Sequence, residues 1–91
     1  MYSNRLLIEN LDSLTTENTI ETLFSMYGDV GKVKVRRERG MGFVEMTSIS
    51  EARRVCAHLD GFVLWGRTMK IQNMEDTLRN RFVYLFDRFL R

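Results

Sequence analysis

The 91-residue chain has no proline, one cysteine, one histidine and one tryptophan. Without proline, its turns must rely on Gly, Asn and Asp. The lone Cys56 excludes an intramolecular disulfide, which suits a reducing intracellular setting, cytoplasm or nucleus. Its place in a helical apolar stripe marks it as a small buried hydrophobe. No apolar run approaches the roughly 18 residues of a membrane helix, so no membrane association is expected. Nor does the chain begin with a basic segment followed by an apolar one, so no secretory signal is expected. The single histidine, His58, has no acidic or cysteine partner at ligand spacing. No glycine-rich phosphate loop precedes a helix, and no nucleophile has a nearby histidine. The expectation is a chain without metal, cofactor or catalytic centre. There is no internal repeat and no low-complexity tract.

What is present is the composition of one globular domain, 44% hydrophobic and 29% charged. Formal net charge is only +2. Residues 32–39, KVKVRRER, hold five cations and one anion, a local +4 that exceeds the total. The rest of the chain is therefore slightly acidic, and positive potential is concentrated on one strand and loop.

Apolar periodicity divides residues 1–72 into six elements. Arg5–Asn10 alternates as a first strand. Thr16 is placed as the N-cap of a helix whose apolar face is Ile20, Leu23, Phe24 and Tyr27, with Gly28 ending it. Val30–Arg36 is a second strand, aliphatic at Val33 and Val35 and cationic at Lys32, Lys34 and Arg36. A short turn, 37–40, leads into the stretch that organises the chain, Arg39-Gly40-Met41-Gly42-Phe43-Val44-Glu45-Met46. Ser48 with Glu51 forms a capping box for a second helix, whose buried face is Ala52, Val55, Cys56 and Leu59. After a Trp65-Gly66 turn, Arg67–Gln72 is a fourth strand. This order predicts an α+β fold, a ferredoxin-like βαββαβ sandwich. A four-stranded antiparallel sheet carries two helices on one face.

The octamer RGMGFVEM resembles the ribonucleoprotein octamer of the RNA recognition motif family at Arg39, Gly40, Gly42, Phe43 and Val44. Met41 and Met46 stand where that pattern has aromatics. Leu6-Leu7-Ile8-Glu9-Asn10-Leu11 resembles the family's second signature, with Leu7 at its usual aromatic position. The resemblance runs from about Arg5 to Gln72. It implies central first and third strands, with Leu7 beside Phe43 and Arg5 beside Glu45. It also implies single-stranded RNA as partner. Phe43 would stack a base, Leu7 and Met41 would touch bases or sugars, and Arg39 would meet a phosphate. Lys32, Lys34, Arg36, Arg37 and Lys70 would add charge. With aliphatic residues at two of three stacking positions, the expected affinity is weak and salt-sensitive. A peptide-binding subclass uses Arg-x-Phe after the second helix. Here Asp60-Gly61-Phe62 has an acid in place of the arginine, which argues against that mode.

Residues 73–91 read as an appended amphipathic helix. Met74, Leu78, Phe82, Leu85, Phe86 and Phe89 recur at steps of about three and four. This stripe needs the open sheet face, a second copy of the chain, or a protein partner. Arg79, Arg81 and Arg88 stand among its apolar positions and would be awkward against the cationic strand. That tips the expectation towards a homodimer, with Leu78, Phe82, Leu85, Phe86 and Phe89 as interface.

Overall fold

The computed structural model describes residues 2–74. The expectations for the stripe beyond Met74, including Leu78, Phe82, Leu85, Phe86 and Phe89, lie outside the described residues. Within them the elements are β1 (Arg5–Glu9), α1 (Glu17–Ser25), β2 (Val30–Arg36), a 3₁₀ turn (Arg37–Arg39), β3 (Met41–Met46) and α2 (Ile49–Leu59). Then follow β4 (Val63–Leu64), β5 (Arg67–Thr68) and β6 (Lys70–Asn73). The main sheet is antiparallel in the order β2-β3-β1-β6, so the first and third strands are central as expected.

Both helices start where the sequence places their caps. The Thr16 hydroxyl accepts from the Thr19 amide, and the Ser48 hydroxyl accepts from the Glu51 amide. Each satisfies one of the amides left free at a helix start. The capping box is only half made. The Glu51 carboxylate pairs with Arg54 at 3.0 Å, one turn further along α2.

The helices lay Ile20, Phe24, Ala52, Val55 and Leu59 against Leu6, Ile8, Val44, Met46 and Ile71 of the sheet, and these form one buried cluster. Cys56 is only half-buried at its margin. Gly42 admits close packing beneath β3, since a Cβ there would lie 3.1 Å from Leu11 Cδ1. Gly40 ends the 3₁₀ turn at φ 63°, a left-handed conformation that glycine adopts without steric cost. Its carbonyl accepts the Leu11 amide at 2.9 Å.

The fourth strand departs from the sequence reading. Arg67–Thr68 does not join the main sheet but folds back on Val63–Leu64 as a small hairpin. Its turn has Trp65 at φ 50° and Gly66 at φ 80°. Met69 is buried, and its amide bonds to the Phe62 carbonyl at 2.8 Å rather than to β1. The strand paired with β1 therefore starts at Lys70 and runs to Asn73. Trp65 is 54% exposed at the hairpin tip.

Each edge strand of the main sheet has an outward amide held by a carboxylate. Glu17, in the first turn of α1, accepts the Val35 amide of β2 at 2.9 Å. Asp60, just after α2, accepts the Ile71 amide of β6 at 2.9 Å.

Candidate nucleic-acid interface

Strand alternation places Leu7, Phe43 and Lys34 on the face of the sheet opposite the helices. The register gives one row across all four strands, Lys34–Phe43–Leu7–Gln72. Neighbouring rows pair Lys32 with Glu45 and Glu45 with Arg5 on one side, Arg36 with Met41 and Lys70 with Glu9 on the other. Leu7, Met41, Phe43, Lys32, Lys34, Arg36 and Lys70 thus share one face. Arg37 and Arg39 are exposed on the adjoining turn.

The charged rim is accessible. Lys32, Lys34, Arg36, Arg37, Arg39 and Lys70 are all exposed. Gly31 sits at a register shift between Val30 and Lys32, which resets the alternation so that Lys32, Lys34 and Arg36 fall on one side. Glu38, within this run, lies 3.5 Å from Arg36. A backbone hydrogen bond, aided by the Arg36 and Arg39 charges, holds its carboxyl below the usual carboxylate range. Glu38 therefore remains an anion at neutral pH and tempers the cationic turn.

The centre of the face is closed, whereas the resemblance implies a Phe43 free to stack a base. Leu7 is 0% and Phe43 2% exposed, and Met41 is half-buried. Neither Leu7 nor Phe43 belongs to the cluster packed by the helices, although Leu6, Ile8 and Val44 beside them do. Met74, whose amide bonds the Arg5 carbonyl at 3.0 Å, is likewise buried and likewise outside that cluster. The sheet therefore has two apolar sides.

Two polar pairs border this second apolar side. Arg5 Nε lies 3.2 Å from Glu45 Oε2, and Gln72 Nε2 donates to Glu9 Oε1 at 2.7 Å. Arg5 offsets the Glu45 charge, whereas the neutral Gln72 amide fixes the Glu9 carboxylate in place without removing its charge. The Arg5–Glu45 pairing follows from strand register. The role of Gln72 was missed, because its reach to Glu9 depends on the diagonal geometry of neighbouring strands. A second missed feature lies at the end of β1. Asn10 adopts φ 68°, its side-chain Nδ2 donates to the Thr68 carbonyl at 2.9 Å, and its Oδ1 accepts from Arg67 at 2.5 Å. Arg67 also donates to the Asn10 carbonyl at 3.3 Å, tying the β4–β5 hairpin to the end of the central strand.

Among the described residues no group of His, Cys, Asp or Glu is placed to hold a metal ion. The chemistry that this surface offers is electrostatic and apolar contact.

The comparisons agree with this architecture. Paraspeckle component 1 of Bos taurus is 37% identical over 68 residues, 75% of this chain. The chain spans only 13% of that relative's length. The solved structure of RNA Binding Protein PG1 is similar with a TM-score of 0.72 and 31% identity, over 81% of this chain and 98% of that one. The C. elegans NONO-1 homodimer is similar with a TM-score of 0.71 and 25% identity, over 76% of this chain and 27% of that one. Residues 6–70 match the model of the RNA recognition motif, and the chain belongs to that family.

Proposed function

We propose that this chain is a single-stranded RNA-binding module of weak, salt-sensitive affinity, acting inside the cell. The observation that carries the reading is the exposed cationic line Lys32, Lys34 and Arg36 on the sheet face, extended by Arg37, Arg39 and Lys70. Family membership and the similarity to an RNA-binding protein over 98% of that protein's chain support it. These side chains meet phosphates, and Arg39 is placed where the family's octamer begins. Leu7, Met41 and Phe43 add base and sugar contacts only to the extent that the centre of the face is uncovered. A base stacked on Phe43 contributes about 1–3 kcal/mol.

The test is a salt titration. With about four phosphate contacts, log affinity falls against log salt with a slope near −3, at roughly 0.7 per contact for single strands. Lys34→Ala with Arg36→Ala reduces the slope and weakens all sequences alike. An affinity independent of salt would rule out this use of β2.

A second reading is a homodimerisation or protein-interaction module. It is favoured by the similarity to a homodimer and by the stripe Leu78, Phe82, Leu85, Phe86 and Phe89. Sedimentation checks it. A chain that stays monomeric at tens of micromolar has no self-association of the micromolar strength that a modest helix interface supplies.

A further inference from the structure

We propose that Trp65, at the tip of the β4–β5 hairpin, stacks an unpaired RNA base outside the sheet face. The contact rests on the RNA reading above. Among the described residues Trp65 and Phe62 are the exposed aromatics, since Phe24 and Phe43 are buried and Tyr2 and Tyr27 are half-buried. Phe43 is 2% exposed, so the centre of the sheet offers no open ring, whereas Trp65 is 54% exposed. Every base has a π-face, so an open indole stacks bases with little regard to sequence.

The fold does not ask for tryptophan at this place. Leu64 pairs with Arg67, which leaves Trp65 and Gly66 as the two central residues of the turn. Both have positive φ, 50° and 80°, the pattern of a type I′ hairpin turn. Asn, Asp or Gly fills the first of these positions at least cost, whereas a bulky side chain is an outlier there. Packing does not offset that strain. Leu64 packs against the core cluster, but Trp65 does not. A strained residue whose side chain is left in water points to a role outside the fold.

The tip is held firmly, and cations surround it. Arg67 donates from Nε to the Asn10 carbonyl and from Nη2 to Asn10 Oδ1, while Asn10 Nδ2 donates to the Thr68 carbonyl. Asn10 is neutral, so this clamp positions Arg67 without cancelling its charge. The next residue, Leu11, donates to the Gly40 carbonyl, which sets the Arg37–Arg39 turn at the same end of the sheet. Lys70 opens β6 directly after the hairpin and is exposed. Glu9 and Glu38, the acids beside these cations, are held by Gln72 and Arg36 respectively. A strand with one base on Trp65 therefore runs beside Arg67, Lys70 and the cationic turn. That charge favours a nucleic acid over an apolar peptide as the occupant.

The test uses the full chain and a mixed-sequence decamer RNA pool. Trp65 is the single tryptophan, so intrinsic emission reports its surroundings alone. RNA should quench that emission with the midpoint given by the anisotropy of labelled RNA. Trp65→Asn suits the turn, so it should unfold in urea no more easily than the unchanged chain. It should nevertheless bind the pool at least about fivefold more weakly, the lower end of what one base–aromatic stack contributes. Trp65→Phe should lose distinctly less. Binding that leaves the emission unchanged, or a Trp65→Asn chain that binds as tightly as the unchanged one, would overturn the contact and leave the RNA reading standing. If the unchanged chain does not bind the pool at all, the RNA reading fails and the contact with it. Emission that shifts with protein concentration but not with RNA would place Trp65, beside the exposed Phe62 and Val63, between copies of the chain and would also overturn the contact.

Discussion

Replacing Phe43 with alanine separates a buried ring from an exposed stacking platform. Phe43 is 2% exposed and sits in the middle of a four-strand row between Lys34 and Leu7. Removing a buried aromatic loses about 2–3 kcal/mol of transfer free energy. The cavity left behind brings typical Phe→Ala losses to about 3–5 kcal/mol. The expected loss is about 3 kcal/mol, the lower end of that range. For a domain of this size, that corresponds to a fall in Tm of roughly 12–24 °C. Urea unfolding followed by circular dichroism measures the loss directly. Phe62→Ala is the control, because Phe62 is 37% exposed beside the hairpin and should lose distinctly less. A Phe43→Ala loss below about 1 kcal/mol, the range of surface changes, would show a ring free in water and refute the second apolar side.

Other perturbations test other parts of the fold. Gly40→Ala should destabilise more than Gly42→Ala in the same urea assay. The first combines a φ of 63° with a Cβ 3.0 Å from the Leu11 carbonyl oxygen, whereas the second meets only a side-chain end, Leu11 Cδ1, at 3.1 Å. Thr16→Ala and Ser48→Ala should each cost about 1 kcal/mol, the usual value of a lost helix cap. Cys56 should react with a thiol reagent more slowly than an unfolded cysteine near pH 8, because burial raises its pKa despite a hydrogen bond with Tyr2. The folded thiol keeps a proton that the unfolded thiol has lost. Its contribution to stability is therefore full below the unfolded value of 9.0 and declines as pH rises past it, which unfolding curves at several alkaline pH values would detect.

Much of this architecture is legible in the sequence because its signals are local. Thr16 and Ser48 announce their helices, and the Lys32–Val33–Lys34–Val35–Arg36 alternation assigns two faces without reference to the rest of the chain. The Leu7–Phe43 pairing follows once the two signature strands are aligned antiparallel, and the observed register agrees. The hairpin at Val63–Thr68 was obscured because Trp65 adopts a left-handed conformation that its side chain does not favour. The half-made capping box turned on whether Glu51 reached back to its cap or forward to Arg54, a competition that spacing does not decide. Least legible was the closure around Leu7 and Phe43. Alternation tells which way a side chain points, but burial depends on what lies above it.

The carboxylates at the two sheet borders constrain how copies of this protein can meet. Glu17 occupies the Val35 amide and Asp60 the Ile71 amide, so neither border presents a clean ladder to an incoming strand. Growth of the sheet from one molecule into the next is thereby discouraged at both ends. An association surface would have to use side chains from a broad face or from the exposed hairpin rather than shared backbone bonds. Such contacts can be tuned one residue at a time and released, whereas strand addition draws on the same geometry that makes fibrils persistent.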